Sequence, residues 1–437
     1  MRARVTAALS SLQGSDTGKA AGLAGAMIAN NVVALISSVV FARMLNDYGA
    51  LASLISYLLI LTVFGQALQV ATAREGVLGH LGTGEDLLHT LERWARTLAI
   101  FTVVATVVSI LLRVQIAQLV GVRHNSGGSW AAAVGIPAGC LYLEVSILRG
   151  ALQGVGDYKS VGISLVGEQT SRLIGGAILV AAGLGVAGAY LGTLISYIAM
   201  SSYCAVTLYR QLAGPEHTRW GFGDRARAKL ALGRHVAAAS IPIVGLAVIQ
   251  LLQNVDLIVA KHRFSNKTDS SYAVAAVAAK VLIWVAMGAG FYLVPETSRR
   301  HAAGEDTRTV LLRSIGIVAV CAAPCMLIYA FGAHPLLEAV FGKDKATASA
   351  SLLPLGAAFT VLAVTYLAVQ YMLALKRTAF LAVIGAVAIV EPILLLQAHR
   401  SPKSFALMVL AVQAVGAVLA LALAWRHPPV TERPKVG

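Results

Sequence analysis

Charge is scarce in this chain: only 13% of its 437 residues are Asp, Glu, Lys or Arg, roughly half the share carried by soluble domains. Cysteine is nearly absent. Cys140, Cys204, Cys321 and Cys325 each sit inside an apolar run. Cys321 and Cys325 share a helical face, yet no His or acidic residue accompanies them, so all four read as small buried hydrophobes and no metal is expected. The ten His include no His-Glu-x-x-His arrangement, and the chain lacks a phosphate-cradling Gly-x-x-x-x-Gly-Lys loop, which speaks against ATP hydrolysis. No cofactor is expected, and the protein does not read as an enzyme. Residues 1–19 hold no apolar core long enough for a cleavable signal peptide; Val5, Leu9 and Leu12 instead suggest a short helix along a membrane surface.

Apolar sequence is what the chain has in abundance. Hydrophobic residues make up 57% of it, arranged in twelve long stretches with short polar connectors. A helix needs about 20 predominantly apolar residues to cross the hydrocarbon layer, and lipid accepts such helices because every backbone group is satisfied internally. The expected spans are 20–41, 50–72, 97–120, 130–152, 160–182, 185–208, 236–260, 272–295, 310–331, 349–374, 378–398 and 404–425. The fold class is therefore an all-α polytopic membrane protein of about twelve transmembrane helices. The net charge of +15 could signal nucleic acid, but the basic residues lie in the connectors, where topology accounts for them, and no nucleic-acid partner is expected.

Cytoplasmic connectors carry the excess of Lys and Arg. With the N-terminus inside, roughly 23 basic residues fall on inside segments and roughly 10 on outside ones. The inside set includes Arg2, Arg4, Arg74, Arg93, Arg96, Arg149, Lys159, Arg299 and Arg300; the outside set includes Lys261, Arg263, Lys343 and Lys345. Both termini are thus expected in the cytoplasm. The connector 74–96 reads as an interfacial amphipathic helix. The connector 211–234, rich in Gly and Arg, divides the chain into two sets of six spans. The expected organisation is a cytoplasmic or interfacial N-terminus (1–19), an N-lobe (20–210), a cytoplasmic linker (211–234), a C-lobe (235–426) and a cytoplasmic tail (427–437). Six is even, so both lobes enter from the same side, which permits a parallel repeat. A basic residue closes the first helix of each lobe (Arg43, Lys261), a Tyr opens the second (Tyr48, Tyr272), and an Arg marks its exit (Arg74, Arg299).

Three segments carry a family resemblance: RMLNDYGALASLISYLLIL between spans one and two; LRGALQGVGDYKSVGISLVGEQTSRLIGGAILVAAGLGVAGAYLGTLIS over spans four to six; and IQLLQNVDLIVAKHR in span seven, followed by an eighth span ending VPETSRR. Together they resemble the polysaccharide-flippase branch of the multidrug/oligosaccharidyl-lipid/polysaccharide exporter superfamily, the branch of the O-antigen and capsule flippases. Two departures stand out. The turn at 261–271 lacks the family's usual Gly, and the first span has no intramembrane Arg of the kind lipid II flippases place there. The resemblance implies two six-helix lobes with alternating access, moving a polyprenyl-diphosphate-linked oligosaccharide across a bacterial inner membrane. The partners it implies are that lipid-linked glycan, membrane lipids, a coupling ion (H+ or Na+) and polysaccharide-assembly proteins.

Each ionisable residue inside a span costs on the order of 2.5–3.5 kcal/mol or more at the bilayer centre, so it should face a wet cavity or a partner. They are Glu144, Glu168, Arg172, Asp256, Lys280 and Glu391. Glu168 and Arg172 lie four apart with the acid first, the favoured ion-pair order. Either they neutralise each other, or Glu168 steadies Arg172 until a substrate phosphate takes its planar fork. Lys280 either snorkels to the headgroups or serves as the second lobe's cation opposite Arg172. Asp256 either pairs with Lys280 or Lys261 or, like Glu144 and Glu391, carries a coupling ion. The amides Asn30, Asn31, Gln66, Gln253 and Asn254 either glue helices or line a sugar-compatible cavity. Two other functions compete with the flippase. A cation-coupled drug antiporter should be rich in intramembrane acids, and a membrane glycosyltransferase or polymerase needs a sizeable outer loop that this chain lacks.

Overall fold

The computed structural model describes residues 16–77, 79–82, 84–122, 126–213 and 240–426. The expected surface helix at 1–19 lies almost wholly outside them, as do most of the 211–234 linker and the 427–437 tail. Every regular element among the described residues is helical. The helices are α1 (Asp16–Met44), α2 (Tyr48–Val77), α3 (Glu85–Leu111), a short α4 (Arg113–Val120), α5 (Ser126–Gly154), α6 (Tyr158–Leu179), α7 (Gly185–Leu212), α8 (Ser240–Arg263), α9 (Asn266–Ala303), α10 (Arg308–Phe331), a short α11 (Ala333–Phe341), α12 (Leu352–Ala374), α13 (Phe380–Gln397) and α14 (Pro402–Trp425).

Eleven segments are long and apolar enough to cross a membrane, and one of them, Tyr158–Leu212, is 55 residues long. It contains two expected spans, because the chain turns back at Gly183, where φ is 90°. That left-handed conformation suits a residue without a Cβ. Each of the twelve expected spans thus falls on a long apolar helix, except that 97–120 is divided at Leu112 between α3 and the short α4. Their ends follow local chemistry. The Asp47 carboxylate accepts from the Ala50 amide at 3.2 Å to open α2, Asp157 accepts from Ser160 at 3.0 Å to open α6, and Ser401, followed by Pro402, accepts from Ser404 at 3.2 Å to open α14. Each side chain takes up an amide that the first helical turn leaves without a partner.

One expectation fails at the 74–96 connector, where no separate interfacial helix forms. α2 continues to Val77, the chain turns through residues near Gly79 and Gly82, and α3 begins at Glu85. The amphipathic signal is genuine but belongs to the first turns of α3. Leu87, Leu91, Trp94 and Leu98 form a buried stripe at helical spacing, packed with Leu68, Ile147, Leu148, Leu152 and Leu208. Beyond it α3 exposes Ile100, Phe101, Val104, Val107 and Leu111, the apolar surface that lipid solvates.

Two compact units emerge. The first comprises the described residues up to Val277 together with His334–Ser349. In it α2 packs on α5, α5 on α7, α6 on α7, α1 on α6, α3 on α5 and α8 on α2. Where α6 meets α7, a Cβ on Gly192 would lie 2.5 Å from the Gly176 amide nitrogen and 2.8 Å from the Arg172 carbonyl oxygen. The two backbones touch, and only glycine permits it. The second unit comprises Ala278–Ala333 and the described residues from Ala350 onward. There α12 packs on both α10 and α14, and α14 on α13.

Candidate functional site

The intramembrane charges of the first unit arrange themselves differently from their sequence spacing. Glu168 does not pair with Arg172, four residues away on α6. Its Oε2 lies 2.9 Å from Nη2 of Arg149 on α5. Arg149 also donates through Nε to the Ser164 hydroxyl at 2.7 Å and through Nη2 to the Ser164 carbonyl at 2.8 Å. At 0% exposure it is among the largest fully buried side chains. Arg149 is thus no connector residue: α5 runs on to Gly154, carrying it into the interior. A buried guanidinium with a carboxylate and two further acceptors has its charge and fork geometry answered.

Arg172 is left with no such arrangement. It is half-buried, and its Nε is enclosed with no hydrogen-bond partner. Its electrostatic neighbours are the phenols of Tyr48, Tyr190 and Tyr197, from α2 and α7. These are neutral groups, and the nearest acid on its own helix is committed to Arg149. The tyrosines escaped sequence reasoning. A Tyr in an apolar helix reads as core, and spacing along one helix gives no sign that phenols of α2 and α7 come within electrostatic reach of a cation on α6.

The other expected site residues of this unit are placed as follows. Asn30 and Asn31 are half-buried on α1, with Asn30 donating weakly to Asn31 at 3.4 Å. Gln66 is half-buried on α2 beside the Tyr142 hydroxyl, and the Tyr142 and Tyr197 rings tilt together with centroids 5.2 Å apart. Glu144 is half-buried on α5 and meets no side-chain partner among the described residues. On α8, Gln253 is buried with an unbonded Oε1, and Asn254 donates to the Gln250 carbonyl at 2.9 Å. Asp256 accepts from the Tyr272 hydroxyl at 3.2 Å. The expected Asp256–Lys261 pair does not form. Lys261 is buried and lies 2.7 Å from Asp47 and 3.1 Å from Asp269. Both acids are closer to its position at the end of α8 than Asp256, which sits more than a helical turn earlier.

In the second unit Lys280 does not snorkel. It is 8% exposed, with its ammonium 5.6 Å from the centroid of Phe359, an arrangement that stabilises a cation through the ring quadrupole. Glu391 is fully buried on α13 and accepts from Gln413 of α14 at 2.8 Å. Among the described residues, no group of three His, Cys, Asp or Glu side chains could hold a metal.

Neither a family model nor a curated relative matches the sequence. Solved structures do. An inward-facing multidrug resistance transporter of the MATE family, in the MOP superfamily, aligns with TM-score 0.69 at 14% identity over 91% of this chain and 93% of its own. The lipid II flippase MurJ in an inward closed conformation aligns with TM-score 0.69 at 16% identity over 93% and 88%. The chain has the fold of MOP-superfamily transporters. A Vibrio cholerae MATE transporter extends the likeness, with TM-score 0.59 at 15% identity over 95% of this chain and 97% of that one. These coverages span the MOP fold from end to end, so α1–α14 make up a multi-pass membrane protein. The likeness is one of fold, and fold alone does not choose among cargoes.

Proposed function

We propose that the protein is a flippase that carries a polyprenyl-diphosphate-linked oligosaccharide across a bacterial inner membrane by alternating access. Arg172 carries the reading. A guanidinium inside the membrane, with an enclosed Nε lacking a hydrogen-bond partner and neutral phenols around it, is electrostatically incomplete. A diphosphate completes it, because its oxygens accept the planar fork bidentately. Lys280 contributes the cation of the second unit, held ready by Phe359. The amides of Asn30, Asn31, Gln66, Gln253 and Asn254 offer donors and acceptors to sugar hydroxyls. On this reading the termini are cytoplasmic, the two sets of six helices act as the moving lobes, and polysaccharide-assembly proteins supply and receive the cargo.

The decisive experiment replaces Arg172 with Ala in cells that depend on the protein for surface glycan. Export of the glycan is expected to stop while the variant still inserts at normal abundance. Undiminished export would overturn the role given to Arg172 and with it the anionic cargo.

One observation favours a second reading, cation-coupled antiport. Glu144 meets no partner side chain among the described residues, and a half-buried lone carboxylate is suited to taking up a proton or Na+. Under that reading Glu144→Gln abolishes drug efflux and Arg172→Ala does not. Under ours the order is reversed for glycan export. Asp256 and Glu391 remain further candidates for coupling should export prove ion-dependent.

A further inference from the structure

The end of the first unit that carries the α1–α2 turn holds a feature that cargo binding leaves unused. Lys261, in the last turn of α8, is clasped by Asp47 of the α1–α2 turn at 2.7 Å and by Asp269 of the first turn of α9 at 3.1 Å, with Asn266 Oδ1 at 3.4 Å. Neighbouring contacts reinforce the knot. Lys345 donates to the carbonyls of Leu45 and Asn46, each at 3.1 Å, and Arg43 donates to those of Ala339 and Val340 at 2.7 and 3.0 Å. The Gly49 amide donates to Ser270 Oγ at 3.1 Å. Any Cβ at Gly49 would run into the Asp269 carboxylate, so the fastening tolerates no wedge there.

A cleft of about 350 Å³ opens directly beside this knot, near the lower end of the range for small-ligand sites. Two of the groups clasping Lys261, Asp47 and Asn266, line it; Val122, Leu184, Val186 and Ala187 form an apolar wall; and Gly127 and Gly128 leave backbone exposed to it. The cleft therefore offers hydrogen-bonding groups and apolar wall together. Asp47 is the one charged residue in this lining, and its carboxylate is already paired with Lys261 at 2.7 Å. A free ion gains little in such a place. A neutral ring with hydroxyls on its edge and C–H groups on its face fits both kinds of wall.

We propose that this cleft binds a neutral carbohydrate segment and that its occupation loosens the Lys261 fastening. The coupling follows from shared atoms. Asp47 Oδ1 already accepts from Lys261 and from the Ala50 amide, so sugar hydroxyls that donate to it compete with Lys261. Asn266, the most distant of the clasping groups, yields first. Lys261 then keeps only Asp269, and the α1–α2 turn is freed from the α8–α9 turn. Neither the cleft nor the fastening involves Arg172, so both are independent of the cargo.

The test uses the full chain in lipid nanodiscs, with its four cysteines replaced by Ala and one reporter added. Ala187→Cys reports occupation of the cleft, and Ser270→Cys, buried beneath Gly49, reports opening of the knot; both are followed by maleimide labelling rate. The probes are glucose, galactose, rhamnose and maltose, with tetramethylammonium and inorganic phosphate as ionic comparisons. At least one sugar is expected to slow labelling of Cys at 187, and to speed labelling at 270, by about threefold or more. Asp47→Ala should leave position 270 fast without sugar and remove both sugar effects. If that variant does not fold, Asn266→Ala should weaken the protection while leaving position 270 slow. Free maltose and a maltosyl lipid built into the nanodisc separate a soluble sugar from a membrane-borne one, and protection by either supports the site. No effect of any sugar overturns the proposal, as does equal protection by tetramethylammonium or phosphate. Protection at 187 with no change at 270 overturns the coupling.

Discussion

Two arginines in neighbouring helices of one unit, one fully buried and one half-buried, have opposite surroundings. Arg149 spends its fork on Glu168 and on both the hydroxyl and the carbonyl of Ser164, and no part of it reaches solvent. Arg172 keeps an enclosed Nε without a hydrogen-bond partner and has the phenols of Tyr48, Tyr190 and Tyr197 among its electrostatic neighbours. Burying a charge is tolerable when its partners are built in, and removing one of those partners is what makes it costly. Arg149 is therefore part of the architecture. Arg172 keeps one enclosed donor that nothing in the fold answers, which is why the proposed function rests on it.

The contrast breaks most visibly at Arg149. Arg149→Ala strands the Glu168 carboxylate, which should lower stability by about 3–5 kcal/mol. Fluorescence-detected size exclusion after heating should show little folded protein, and Arg149→Met combined with Glu168→Gln should recover most of it. Arg172→Ala should do the converse, leaving the melting profile near wild type. The loss of a charge-assisted contact of about 1.5–3 kcal/mol should weaken cargo binding by roughly ten- to a hundred-fold, read by native mass spectrometry with the lipid-linked glycan. Arg172→Lys should restore part of the affinity, since charge survives but the fork does not.

Lys280 tests whether the second unit repeats either case. Replacing it with Met removes a cation–π contact of about 1–2 kcal/mol while keeping the volume. Glycan export should fall more than stability does, and the reverse order would class Lys280 with Arg149.

The smallest effect is expected at Asp157, a charge satisfied at a helix end. Burial alone would raise its carboxyl, but hydrogen bonds from Ser160 and Gln211 outweigh that and hold it below the ordinary value. A carboxyl depressed by folding adds stability above its unfolded value of about 3.9 and loses that contribution as pH falls through the lower folded value. Asp157→Ala should therefore cost about 1 kcal/mol near neutral pH. The gap to wild type should narrow as the sample is taken below about pH 4, in thermal melts run across pH.

The sequence was most readable where a rule of length applies. Twelve apolar runs fall on helices long and apolar enough to cross a membrane, because about 20 residues of apolar helix have few alternatives in lipid. It was least readable where helices choose partners. Spacing placed Glu168 and Arg172 on one face of α6, but it could not show that Arg149 of α5 would take the carboxylate first. Arg149 lies near the edge of the expected span 130–152 and counts there with the connector cations, whereas α5 carries it into the interior and ends at Gly154. Lys261 was legible as a basic helix end and as a partner for Asp256, but its actual partners are Asp269, 8 residues after it, and Asp47, 214 residues before it, which reaches it only where α8 packs on α2. The stripe on α3 was read with the right period and given the wrong neighbour, protein core being indistinguishable from a membrane surface by periodicity alone.

Gly192 gives the hairpin of α6 and α7 a mechanical character. Its missing side chain lets one backbone rest on the other beside the carbonyl of Arg172 itself, so there is no soft layer to absorb a displacement. A displacement of α6 at Arg172 would therefore press straight onto the α7 backbone at Gly192.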